Sequence, residues 1–92
     1  MSDETFETFK AQKLSQGYDE VLVREWSPGF ANEPHEHPFD IDVLVAQGEF
    51  WLTMDGHTTH FQAGDQFTLA RGLTHSERYG PDGAIFWAAR KY

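Results

Sequence analysis

The stretch 34-PHEHPFDID-42 sets His35 and His37 one residue apart, among the acids Glu36, Asp40 and Asp42 and between Pro34 and Pro38. A third histidine, His75, follows the turn Arg71-Gly72-Leu73-Thr74, and Glu77 and Tyr79 come after it at intervals of two. In a strand, residues i and i+2 face the same side. His35 and His37 then project together, and His75, Glu77 and Tyr79 form a second row of ligand, carboxylate and phenol. If a β-fold lays these rows side by side, three imidazoles converge. Three neutral imidazole nitrogens with positions left for water or substrate make an ordinary catalytic metal site. Such ligation suits iron, nickel, copper, zinc, cobalt or manganese and disfavours magnesium and calcium. The plainer alternative is a group of polar residues at the mouth of a barrel.

Positioning these rows requires a fold that a short chain can sustain. Ninety-two residues (1–92) make a single domain, and a chain of this size buries only about 60–65% of its unfolded surface. Eight Phe, three Trp and three Tyr enlarge the area that a small core can bury. The net charge of −8 and the lack of a basic cluster beyond Arg90-Lys91 argue against a nucleic-acid partner. The absence of cysteine excludes disulfides, thiolate nucleophiles and zinc–thiolate sites. No apolar run approaches the ~20 residues of a membrane span, and the acidic start MSDETFETFK does not read as a signal peptide. A cytoplasmic protein without membrane contact is the expectation.

Residues 5–14, TFETFKAQKL, space Phe6, Phe9 and Lys13-Leu14 helically behind Ser2 and Asp3 as possible caps, with Gly17 closing the segment. This predicts a short N-terminal helix or arm. From there the pattern turns to period two, in seven strand-like segments: 20–26, 40–47, 49–55, 58–63, 66–71, 75–80 and 84–90. Gln47-Gly48, Asp55-Gly56, Ala63-Gly64-Asp65, Arg71-Gly72 and Pro81-Asp82-Gly83 punctuate them, and Asp55-Gly56 is a strong hairpin signal. The expected fold is all-β, a sandwich or small barrel. On the hairpin after Asp55-Gly56, parity turns Thr59 and Phe61 inward and leaves His57 and His60 on the surface.

The two rows also resemble the motifs of the cupins, small double-stranded β-helix (jelly-roll) barrels. The first cupin motif runs G-x5-H-x-H-x3–4-E-x6-G; here Gly29 is followed by five residues, then His35-Glu36-His37, and Gly48 closes it. The second runs G-x5-P-x-G-x2-H-x3-N; here Gly64-Asp65 opens it, and Ala70-Arg71-Gly72 precedes His75 by two residues. Together they cover residues 29–79. The pattern departs at Ile41, where the family carries a ligand Glu, at Ala70 in place of Pro and at Tyr79 in place of Asn. A β-bulge near Pro38 could restore a carboxylate by turning Asp40 or Asp42 inward. Alternatively Glu77 supplies it from the face of His75, as a fourth ligand or as a general base. Without a bulge, Asp40 and Asp42 face away, as solvated residues or as groups that orient an imidazole.

The resemblance implies one divalent metal on His35, His37 and His75 and a small-molecule ligand or substrate in the barrel. It also implies an activity from the family's range of dioxygenases, isomerases, decarboxylases and lyases, with a dioxygenase-like reaction as the leading form. Glu77 and Tyr79 are the catalytic candidates. Phe39, Trp26, Trp51, Phe67, Phe86 and Trp87 are candidates for the pocket wall, and Tyr79 and Arg71 for fixing a polar or anionic substrate. The alternative from another class is a non-catalytic binding or sensing module. Open edge strands on so small a barrel favour a symmetric homodimer. Size-exclusion with light scattering at micromolar protein should therefore report about twice 10.6 kDa, and the monomer mass would refute the dimer.

Overall fold

The computed structural model describes residues 5–92. Thr5 caps the first helix, its hydroxyl accepting from the backbone N–H of Thr8, and α1 spans Phe6–Ser15. The proposed caps Ser2 and Asp3 lie outside the described residues. Gly17, at φ +95°, ends the helix: its N–H reaches the carbonyl of Leu14, and the Tyr18 N–H reaches that of Lys13. The strands that follow are β1 (Glu20–Trp26), β2 (Asp40–Met54), β3 (His57–Gln62), β4 (Gln66–Leu69) and β5 (Ser76–Lys91). Among the described residues, no helix is long and apolar enough to cross a membrane.

All pairings are antiparallel, in the order β1-β5-β2-β3, with β4 also pairing with β2. The expected all-β class with an N-terminal helix is what forms, but the strand count is five rather than seven. Gln47-Gly48 and Pro81-Asp82-Gly83 are bends inside long strands, not turns between short ones. The β2–β5 register slips between Val45 and Gln47 and again between Gly48 and Phe50. A Cβ on Gly48, which sits at φ +80°, would stand 2.1 Å from the carbonyl oxygen of Gly83. Only bare backbone fits where the two strands cross so closely.

The slips change which side chains face the interior. In the first half of β2, Ile41, Val43 and Val45 are buried in the barrel core; beyond Gly48, Phe50 and Leu52 take that role. β2 thereby serves two parts of the barrel, pairing with β5 and β4 in its first half and with β5 and β3 in its second. The Asp55-Gly56 turn works as expected, with both residues at positive φ between Met54 and His57. Phe50, Phe61, Phe67, Tyr79 and Phe86 pack into one aromatic cluster with centroid separations of 4.7–6.3 Å among its contacting pairs.

Helix α1 lies on the outer face of the sheet. Phe9 is buried there with Val21 and Ala89, flanked by Phe6, Tyr18, Leu44 and Trp87. Leu14, spaced as if apolar-facing, is instead 44% exposed, because Lys13 takes the buried place. The Lys13 ammonium meets Asp42 Oδ2 at 2.6 Å with both side chains less than a tenth exposed, and Gln66 Nε2 donates to the other oxygen at 3.0 Å. Removing one partner of a buried pair strands the other charge, at about 3–5 kcal/mol, whereas replacing both with apolar groups is often neutral. Asp42→Ala should therefore lower stability in urea unfolding by that amount. Lys13→Met with Asp42→Leu should restore most of it, and equal losses in the two proteins would refute the pairing as the cause.

Candidate metal centre

The chain before β2 runs alongside the start of β5 as an irregular strand. The Gly29, Asn32 and His35 N–H groups donate to the carbonyls of Gly80, Glu77 and His75, and Tyr79 and His75 donate back to Phe30 and His35. Pairing steps evenly from Gly29–Gly80 to Asn32–Glu77 and then slips by one residue at Glu33-Pro34, where proline has no N–H to offer. Beyond the slip, His35, His37, Phe39, Ile41 and Val43 line the same cavity in unbroken alternation. No bulge forms at Pro38.

The three histidines predicted to converge do so. Their candidate donor atoms lie within 4.8 Å of one another, the one such grouping of three or more His, Asp or Glu among the described residues. Ring centroids are 4.4 Å apart for His35–His75, 4.8 Å for His37–His75 and 5.1 Å for His35–His37. Two of the rings are fixed by carbonyls, which can only accept: His35 Nδ1 donates to Glu33 O at 2.8 Å, and His75 Nδ1 to Leu73 O at 2.9 Å. In the neutral rings this leaves Nε2 as a bare lone pair. His75 Nε2 is buried without a hydrogen-bond partner. His37 stacks on Phe39 at 4.8 Å, and its carbonyl accepts from the Gly72 N–H.

An orphaned, buried nitrogen lone pair beside two other imidazoles is what a borderline transition metal would satisfy. Two nitrogens on one such ion lie at most about 4 Å apart. The widest spacing here exceeds that slightly, so the rings have to draw inward to share one.

Glu77 lies on the inner face, opposite Leu52, as strand parity predicts. Its Oε1 is 3.5 Å from His35 Nε2 and 3.8 Å from His75 Nε2, and its side chain is 9% exposed. Asn32 Nδ2 donates to Oε1 and the Tyr79 hydroxyl to Oε2, each at 3.1 Å, while the Glu77 N–H donates to Asn32 Oδ1 at 2.8 Å. Asn32 was missed in the sequence; nothing in its local spacing marks it. Burial first, then Glu77, pushes the Tyr79 phenol far above its ordinary pKa, so it stays a donor to the carboxylate.

Other expectations are corrected. Asp40 and Asp42 orient no imidazole: Asp40 accepts from the Arg71 N–H at 2.8 Å, and Asp42 is the buried partner of Lys13. Arg71 reaches the Lys91 carbonyl and is not on the cavity wall. Trp51 and Trp87 face outward, against His60 and against Phe6 and Phe9, whereas Trp26, Phe39, Phe67 and Phe86 do line the cavity. His57 and His60 are exposed, His60 bonding Glu49 at 2.9 Å, and of their neighbours Phe61 packs inward but Thr59 does not. The cavity measures about 100 Å³.

With this geometry in view, the relatives can be placed. No protein-family model and no curated protein matches the chain. Among solved structures, an uncharacterised conserved protein with a double-stranded β-helix domain from Klebsiella pneumoniae is 31% identical, with TM-score 0.65 over 77% of this chain and 64% of that one. A cupin-2 domain protein from Shewanella frigidimarina aligns at TM-score 0.65 and 18% identity over 77% and 69% of the two chains. The chain belongs to the cupin superfamily. KdgF from a Halomonas species is similar at TM-score 0.66 and 22% identity, over 78% of this cupin and 67% of that chain. This cupin thus spans roughly two thirds of the length of these three proteins.

In this cupin, Ile41 takes the place of the family's motif Glu and lines the cavity as an apolar residue, while Glu77 brings a carboxylate in from the neighbouring strand. His37 is shifted down to about 4, by burial first and then by the charges of His75 and His35 against the opposing pull of Glu77. Its folded value lies below the unfolded value near 6.5, so acid protonates the unfolded chain first. The stability this confers is complete above about pH 6.5 and is lost as pH falls towards 4. Metal-free wild type should lose more stability between pH 7 and pH 4.5 in urea unfolding than His37→Gln does. Parallel losses would show that His37 titrates normally.

Proposed function

We propose that this cupin binds one divalent transition metal through Nε2 of His35, His37 and His75 and acts on a small molecule held in the adjoining cavity. The observation that carries the reading is the buried, unpartnered Nε2 of His75, whose ring is held by the Leu73 carbonyl with its lone pair free. A metal bound there would act as a Lewis acid on the ligand's oxygens.

The chain's own residues supply the rest. Glu77 is the group best placed to take a proton, with Oε1 within 4 Å of two ligand nitrogens and little solvent around it. Asn32 and Tyr79 already hold its two oxygens, which fits a positioned general base better than a ligand that must swing onto the metal. Tyr79 acts through Glu77 and is a positioning residue. Phe39, Phe67, Phe86 and Ile41 keep the reacting end apolar and limit water. The dioxygenase-like form of the activity would need a redox-active metal, whereas base-catalysed isomerisation or elimination would run with zinc as well.

Untagged protein should carry about one transition metal per chain by elemental analysis, and a folded His35→Ala/His75→Ala variant none. Glu77→Gln should keep the metal and lose turnover by about 100-fold or more, the usual contribution of a general base. A wild type that stays metal-free after reconstitution with iron, nickel, zinc, manganese and copper would refute the metal-dependent reading. Metal and ligand binding without turnover would leave the sensing module.

A further inference from the structure

Two of the chain's four arginines, Arg24 and Arg90, lie on the wall of the cavity that His35, His37 and Glu77 also line. Strand register brings them there. Arg24 on β1 pairs with Phe86 on β5, and Phe86, Ala88 and Arg90 follow one another at intervals of two along the cavity wall. Each guanidinium lies over an aromatic ring of the same wall, Arg24 at 4.9 Å from Trp26 and Arg90 at 4.6 Å from Phe39. A ring under a guanidinium holds its plane while leaving the N–H groups on its edge free to donate.

Two buried donors on this wall lack acceptors. Arg90 Nε is buried without a partner, and among the described residues its guanidinium reaches one carboxylate, Glu20 Oε1, at 3.4 Å. Trp26 Nε1 is likewise buried and unpartnered. Buried donors nearly always find an acceptor. Here two go unmet on residues of one cavity wall, beside a second guanidinium, in a chain of net charge −8. The group that two guanidiniums on one wall would hold is an anion with planar, paired acceptor oxygens. A cavity of about 100 Å³ suits a small molecule.

We propose that the cavity takes a small carboxylate, its oxygens bound by Arg24 and Arg90 beside the Trp26 ring, with the remainder of the molecule towards the histidines and Glu77. This names the substrate class of the metal-dependent reading and rests on that reading only for what the far end of the molecule meets.

Pyruvate and its uncharged isostere pyruvamide test it, titrated into metal-free and zinc-loaded protein and followed by the Trp26 indole and arginine Nε–H signals in ¹H–¹⁵N spectra. Trp26→Phe assigns the indole signal, and the same spectra report whether each variant is folded. Pyruvate should bind both forms about tenfold or more tightly than pyruvamide and shift the Trp26 signal. Arg24→Gln and Arg90→Gln should each weaken it about tenfold, as loss of a charge-assisted hydrogen bond does. Equal binding of acid and amide to wild type would overturn the proposal, and so would folded arginine variants that bind pyruvate as wild type does. Pyruvate bound only with zinc and indifferent to both arginines would place the carboxylate on the metal and overturn it too. Arginine-dependent discrimination in a protein that takes up no zinc would uphold the carboxylate site and count against the metal.

Discussion

Two backbone hydrogen bonds between His35 and His75, N–H to carbonyl in each direction at 2.8 and 2.9 Å, tie the irregular strand to the start of β5 and so extend the sheet. The same contact sets two imidazoles side by side. Fold and site are therefore not separable here, because the pairing that satisfies the backbone also creates the cluster. The slip at Glu33-Pro34 gives this pairing its register. Moving it by one residue would send His35, His37 and every cavity residue up to Val43 to the other face of the sheet.

Parity then divides the polar groups of the chain between two surfaces. On the inner face, Glu77 sits almost dry, its oxygens held by Asn32 and Tyr79. On the outer face of the same sheet, Asp42 meets Lys13 and fastens α1. Both carboxylates are buried, but their partners differ in kind. Asp42 faces a full positive charge and serves the structure, whereas Glu77 is held by the neutral donors Asn32 and Tyr79 beside the histidines. His37, held neutral by burial and by its neighbours, belongs to the same economy of charge.

The bends at Gly48 and Gly83 allow five strands to do the work of seven. Because β2 and β5 continue through them, one ladder carries the aromatic cluster around Phe50 and the cavity near Phe39. Phe67 and Phe86 belong to both, so the floor of the cavity is the top of the core. A site built against a packed aromatic floor gains rigidity from the same burial that stabilises the fold.

Much of this was legible in the residue order. Alternation along 35–45 and 75–79 is local, and it determined that the three histidines and Glu77 share inner faces while Asp40 and Asp42 do not. Asp55-Gly56 and Gly17 likewise act through their own backbone angles. What distant segments do to one another was not legible. Asn32 meets Glu77 across 45 residues, Lys13 meets Asp42 across 29, and Arg24 and Arg90 come to one wall through pairing of the first strand with the last. Gly48 and Gly83 read as turn residues because glycine marks both turns and close backbone crossings, and only the opposing strand tells them apart. Sequence by itself thus determined the faces of the strands, which follow from the two-residue repeat of the chain. The tertiary structure decided which faces meet, because that depends on register between segments that have no contact until the sheet closes.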